Sequence, residues 1–395
     1  MRIALIDGSP KKKGRLYPLP LLKIGAWRKD KGDEVVLFMG ELPAAGEFDE
    51  IWITTRFTFE IPFAVGLVRE AKNRAKRVLV GGISATLLPE YFENEGVEVH
   101  KGLLPDAEHY APDYSILGYE PKYSITHTSR GCIRKCGFCM VTRLEPEFTN
   151  EPGWDKSFYP GATDILFYDN NWLAKPMDEL RADVEKMKKL IADGRITSMD
   201  FNQGLDARLV TDEIADLLEG LPIKPIRFAF DGMHEDGHYQ DAIRKMAAHG
   251  FNDFTSYVLY NFKDTPKDFY YRLKESARLG AELISNVNSF PMRYQPILDI
   301  DKARSYVGTN WTSKKLKAFM VILGKWSTGG TVSTRSIEDF EYWLGKTPDE
   351  FDKLLNYPRL RELIKKRKGN FRQLRAKAAY AKKDAKRLQN ITEDG

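Results

Sequence analysis

Short apolar strands alternate with helical patterns twice along this chain, and few architectures can bury such a series. Between residues 1 and 101, "RIALI" (2–6), "VVLF" (35–38), "EIWITT" (50–55), "RVLVGG" (77–82) and "VEVH" (97–100) are separated by helical stretches such as "PLLKIGAWRKDKG" and "FAVGLVREAKNRA". Strands that are apolar throughout belong in a parallel sheet covered on both faces, so a doubly wound (Rossmann-like) α/β domain is expected over 1–101. Residues 102–122 carry prolines and little periodicity and read as a linker. A second series spans 123–299, with strands expected at 123–129, 164–169, 198–203, 226–231, 254–262 and 282–290. The helix "MDELRADVEKMKKLIADG" should end at Gly194, and "DTPKDFYYRLKESARLG" should run from an N-cap at Thr265 to a stop at Gly280. Strand–helix units in such a series predict a full or partial parallel barrel, with its ligands at the carboxyl ends of the strands. From about Asp299 the pattern turns helical, and "TPDEFDKLL" (347–355) opens with a capping box of Thr347 and Glu350, so 300–395 is expected to be a helical region.

The stretch "RGCIRKCGFCMV" (130–141) holds all 3 cysteines of the 395-residue chain. An odd number so closely spaced is no disulfide framework; it looks like a set of metal ligands. The spacing of Cys132, Cys136 and Cys139 is C-x3-C-x2-C, directly after the first strand of the second series. A structural zinc site needs a fourth protein ligand, for which His127 is the nearest histidine. An iron–sulfur cubane held by three thiolates instead leaves one iron open to a small molecule. Arg134 and Lys135 inside the loop suit an anionic cluster and equally suit an ordinary surface.

The loop, with Phe138 just before its last cysteine, resembles the radical S-adenosylmethionine (radical SAM) superfamily. That resemblance implies a [4Fe–4S] cluster on Cys132, Cys136 and Cys139, and SAM bound to the open iron. It also implies a partial (β/α)6 barrel, cleavage of SAM to a 5′-deoxyadenosyl radical, and an electron donor of flavodoxin or ferredoxin type. The radical abstracts hydrogen from a substrate, for which a small molecule suits the compact chain. By position, Asp169, Asn170 and Asn171 of "YDNNW", at the end of the second strand, are expected near the SAM amino group, with Asp169 capping the next helix as the plainer reading. Gln203 and Arg208 of "NQGLDARL" are expected near a ligand carboxylate, with an Asp206–Arg208 pair as the plainer reading. Asp231 is placed to take a ribose hydroxyl, "YVLYNF" (257–262) to pack on adenine, and Arg293 with Tyr294 to face substrate.

The first domain, with "GGISATLLPE" and the "PDYSIL" linker, resembles the subgroup that carries a cobalamin-binding-type domain. The cobalt-ligating D-x-H-x-x-G motif of such domains is missing: the first turn reads "DGSPKKKGRLYP" and the first histidine is His100. The domain is therefore expected to serve architecture or substrate recognition, with cobalamin-dependent methyl transfer as the alternative. A nucleic-acid-binding module with a structural metal is the alternative of another class. No apolar run approaches the ~20 residues of a membrane span, and a cytoplasmic, membrane-free protein is expected. From Pro358 onward 13 Lys and Arg face 4 Asp and Glu, a net of +9 in a chain whose total is +5. That tail, 358–395, reads as a solvated helical face, with nucleic-acid binding as its alternative role.

Overall fold

The computed structural model describes residues 1–10, 16–327, 331–332, 336–371 and 373. Lys11 to Lys13 and most of the basic tail lie outside the described residues. The chain divides into two units: Met1–Phe228 with Ala248–Phe251 and Gln295–Tyr306, and Ala229–Ala247 with Asn252–Tyr294 and Val307–Gly395.

The first unit opens with a parallel sheet in the order β2–β1–β3–β4–β5, formed by β1 (Arg2–Asp7), β2 (Glu34–Met39), β3 (Glu50–Thr55), β4 (Arg77–Gly82) and β5 (Glu98–Val99). Side chains alternate across it. Ala4, Ile6, Ile51, Ile53, Val78 and Val80 pack on one face under α2 (Ile61–Ala71), while Ile3, Leu5, Val35 and Trp52 pack on the other with Leu21 of α1 (Leu19–Asp30). Both faces are covered, so β3 is buried at every residue. The strand order reverses between β1 and β3, the point where doubly wound sheets take their ligands. After β4 come two short helices, α3 (Ile83–Leu87) and α4 (Glu90–Glu93).

Residues 102–122 are more than a tether. They form α5 (Pro105–Glu108) and a helical turn at Tyr114–Leu117, and they bind both neighbours: Lys29 pairs with Asp113 at 2.6 Å, and the Tyr114 hydroxyl donates to Ser157 O at 2.5 Å. Beyond them lie β6 (Ser124–Thr126), β7 (Ser129–Arg130), α6 (Val141–Leu144), β8 (Thr149–Asn150), β9 (Asp164–Phe167), α7 (Met177–Ala192), β10 (Ser198–Phe201) and α8 (Asp212–Leu218). The strands β10–β9–β6 form a parallel sheet, continued by bridges from Met199 to Ile223 and from Leu205 to Phe228. Gly194, with φ +70°, ends α7 as expected. The next strand, β11, is Ile226–Ala229.

The second unit contains α9 (His238–Ala248) up to Ala247, β12 (Asp253–Tyr260), α10 (Pro266–Glu282) and β13 (Asn286–Arg293). β12 and β13 pair in parallel from Asp253↔Asn286 to Tyr260↔Arg293. Gly280 does not stop α10, which runs on to Glu282; the left-handed residue after it is Ile284, φ +52°. That extension moves β13 past the expected 282–290. Helices α11 (Ser313–Trp326), α12 (Ile337–Leu344) and α13 (Pro348–Leu355) then share an aromatic core with α10, including Phe269, Phe319, Phe340, Trp343 and Phe351. Thr347 caps α13 through Glu350 N, but the Glu350 carboxylate reaches back to Lys346 N rather than closing a box on Thr347.

Candidate active site

The cysteine loop is fastened where it begins. The β7–β8 ribbon pairs Ser129 with Asn150 and Arg130 with Thr149, closing the loop at its base. Asp169, just past β9, accepts from Thr128 N, Thr128 Oγ1 (2.6 Å), Ser129 N (2.7 Å) and Ser129 Oγ (2.7 Å). Burial pushes this carboxyl up, and those donors work against the shift without cancelling it. Gly131 has φ +74°, and a Cβ there would stand 2.1 Å from Glu147 O, so only glycine fits before Cys132.

Arg130 anchors the same point by charge. Its guanidinium reaches Glu108 at 2.8 Å, Glu145 at 2.9 Å and Glu151 at 3.2 Å, and Glu108 also takes Lys23 of α1 at 3.0 Å. Glu145 turns its second oxygen to Gly131 N (3.0 Å) and Asn170 Nδ2 (2.9 Å). His127, half-buried at the end of β6 beside the Tyr168 ring, is held neutral: burial first, then the cations of Arg130 and Lys23, push its pKa well below 6.5.

None of the three cysteines is in a disulfide, and all are partly exposed. Cys139 N donates to Cys136 O at 3.0 Å, turning the loop between these two cysteines. Cys132 Sγ receives Arg134 N at 3.3 Å and Asn171 Nδ2 at 3.5 Å. Asn171 follows from its neighbour: Trp172 is fully buried, stacked on Phe201 at 4.3 Å, and its indole N–H is held by Asp183 at 3.0 Å. Asn171 is 3% exposed, and among the described residues its buried Oδ1 has no partner. Asp206 completes the group, accepting from Arg134 Nε (2.9 Å), Arg208 Nε (2.7 Å) and Asn171 Nδ2 (3.3 Å). Burial opposes its charge, but the Arg208 and Arg134 hydrogen bonds outweigh burial and hold its pKa below the usual carboxylate value.

Among the described residues, no three His, Cys, Asp or Glu side chains converge closely enough to hold one ion. A tetrahedral zinc with Zn–S of about 2.3 Å would need sulfurs about 3.8 Å apart. A cubane divides its thiolates among different irons and needs no such convergence. Three soft thiolates, one already receiving two N–H donors, fit an iron–sulfur cluster.

The expected site residues separate in the structure. Asp169 uses its carboxylate on the loop base and caps no helix. Asn170 is turned to Glu145, and its neighbour Asn171 is the one at Cys132. Arg208 forms the plainer pair with Asp206, Gln203 is exposed, and Phe138 is half-buried beside Cys139. Asp231, Arg293 and Tyr294 belong to the second unit. There Asp231 Oδ1 accepts from Leu259 N at 3.1 Å, and the Tyr294 ring lies 4.7 Å from Phe262.

The carboxyl edge of the doubly wound sheet forms a second feature of the first unit. At the reversal between β1 and β3, fully buried Asp7 pairs with Arg56 at 2.8 Å. Leu16, Phe57 and Ile83, in the segments that leave β1, β3 and β4, are exposed apolar side chains. Helix α3, just past β4, packs against α6, just past Cys139.

No protein-family model and no curated protein sequence matches this chain. Among solved structures, the radical S-adenosylmethionine methyltransferase TsrM of Kitasatospora setae, with cobalamin and [4Fe–4S] cluster bound, is similar with a TM-score of 0.57 and 12% identity, over 89% of this chain and 84% of that one. The same enzyme with tryptophan substrate and a SAM analogue gives 0.55 and 12%, over 74% and 72%. The cobalamin-dependent S-adenosylmethionine radical enzyme OxsB with aqua-cobalamin bound gives 0.50 and 14%, over 76% and 54%. In fold, the chain resembles radical S-adenosylmethionine enzymes, the family its cysteine loop resembles in sequence.

Proposed function

We propose that this protein is a radical SAM enzyme, with Cys132, Cys136 and Cys139 holding a [4Fe–4S] cluster. The observation that carries this reading is the thiol loop itself, fixed by Asp169, Gly131 and Arg130, with N–H donors already set on Cys132. Once bound and reduced, such a cluster would supply the electron for splitting the sulfonium of SAM into methionine and a 5′-deoxyadenosyl radical. The chain's residues position and shield. Asn171 Oδ1 is a buried acceptor with no partner among the described residues, which suits the ammonium of SAM. Arg293 and Tyr294, at and just past the carboxyl end of β13, are the candidates for a small substrate, and an external low-potential donor supplies the electron. Anaerobic reconstitution should load about four irons, and dithionite with SAM should then release 5′-deoxyadenosine. The Cys136→Ala variant should release none; tightly held zinc in place of iron would overturn the reading.

A second reading, cobalamin-dependent methyl transfer, gains from the carboxyl edge of the first sheet. The chain has no histidine in its first 99 residues to ligate cobalt, which led to the expectation of an empty domain. Yet apolar Leu16, Phe57 and Ile83 line that edge, as a broad planar ligand requires, and α3 reaches α6 beside the thiols. The two cobalamin-bound structures among the similar folds favour the same reading. Cobalamin here would be held without a histidine on the metal.

A further inference from the structure

We infer that Asn171 sets the electron affinity of the cluster through Cys132, with Asp206 as the post that holds it there. This rests on the radical SAM reading above. An N–H hydrogen bond to a cluster thiolate stabilises the reduced, more negative form and raises the reduction potential. Cys132 Sγ has two such donors, and they differ in kind. Arg134 N is backbone and belongs to the loop, so any sequence of this spacing can supply it. Asn171 Nδ2 comes from the segment after β9, and it reaches sulfur only because of its surroundings.

Those surroundings are specific. Trp172, clamped by Phe201 and Asp183, fixes the backbone beside Asn171. Asp206 Oδ2 accepts the same Nδ2 group at 3.3 Å, so the amide is oriented with nitrogen toward sulfur and oxygen away. The carboxylate is itself held in place by Arg134 and Arg208, which also offset its charge beside an anionic cluster. An asparagine supplies a neutral donor here; an aspartate of the same shape would supply none and add a repelling charge. Asn171 is thus a positioning and tuning residue.

The test is the midpoint potential of the reconstituted cluster, followed by electron paramagnetic resonance in a redox titration without SAM. Asn171→Ser shortens the side chain out of reach and should shift the reduction equilibrium about tenfold toward the oxidised form, about 59 mV for one electron. Asn171→Asp should shift it further in the same direction. Asp206→Glu, which keeps the charge but moves the acceptor off the amide, should give a smaller downward shift with unchanged iron content. Unchanged potentials in Asn171→Ser and Asp206→Glu, with full iron loading, would overturn this inference while leaving the enzyme reading intact. Failure of the wild-type chain to form a cluster would overturn the enzyme reading instead. If Asn171→Ser fails to load iron, Asp206→Glu alone decides.

Discussion

Asp169 accepts a hydrogen bond from Ser129 N at 2.7 Å, tying the exit of β9 to the segment that launches the cysteine loop. The same carboxylate takes the Ser129 hydroxyl and both donors of Thr128. In Asp169→Asn, one oxygen becomes an NH2 group facing these donors. The variant should lose ~2–3 kcal/mol of stability, as hydrogen bonds to a buried charge do. It should also reconstitute to well under half the wild-type iron. Urea unfolding and iron analysis check both, and wild-type values would remove Asp169 as the loop's anchor.

Gly131→Ala places a methyl 2.1 Å from Glu147 O in a left-handed backbone. A cost of about 2–3 kcal/mol is expected, together with loss of cluster loading. Full iron occupancy in this variant would show that the loop adapts around position 131.

Arg130 joins three carboxylates with little exposure of its own, 12% of its side chain. Arg130→Ala leaves Glu145 an uncompensated, mostly buried charge and Glu108 with Lys23 alone, at a cost of ~3 kcal/mol. Adding Glu108→Gln should recover part of that loss. A double-mutant cycle with coupling of about 1 kcal/mol is expected; strict additivity would mean that the pair is not coupled in solution.

His127 gives a pH dependence with a defined sign. An unfolded histidine takes up a proton near pH 6.5, whereas folded His127 is held neutral well below that by burial and by the cations of Arg130 and Lys23. Below pH 6.5 the unfolded chain therefore binds more protons, and stability falls with pH by up to ~1.4 kcal/mol per unit. His127→Asn should flatten the fall in urea midpoint between pH 7 and 5. Parallel slopes for the two proteins would show that His127 charges freely when folded.

The cobalamin reading predicts cobalt that survives gel filtration when the chain is produced with excess cobalamin. Ile83→Asp or Phe57→Asp, each placing charge on the exposed apolar edge, should lower retention at least tenfold with iron content unchanged. A wild-type protein that purifies without cobalt would remove methyl transfer and leave SAM cleavage standing.

Some of this was legible in sequence and some was not. β3 and β4 occupy 50–55 and 77–82 as expected, because continuous apolar runs bounded by turns leave little choice of register. The cysteine spacing carries its resemblance to the radical SAM loop by itself. Which residue of "DNN" meets the thiol was not readable, since neighbours in an extended segment point to opposite sides. The sequence sets Asp169, Asn170 and Asn171 together near the SAM amino group and names no partner for the thiol; the buried anchor Trp172 selects Asn171 for Cys132. Likewise, the partners of Arg130 come from positions 108, 145 and 151, and only folding brings them together.

Glu108 is shared between Lys23 on α1 and Arg130 at the root of the thiol loop. The segment that carries it therefore behaves as a keystone, not a hinge. A chimera in which a relative's first hundred residues replace these would have to bring its own counterpart of 102–122, or it would strand Arg130 with one carboxylate too few. Transplanting the sheet with that segment, and cutting after residue 122, is the junction at which the two ancestries can be exchanged.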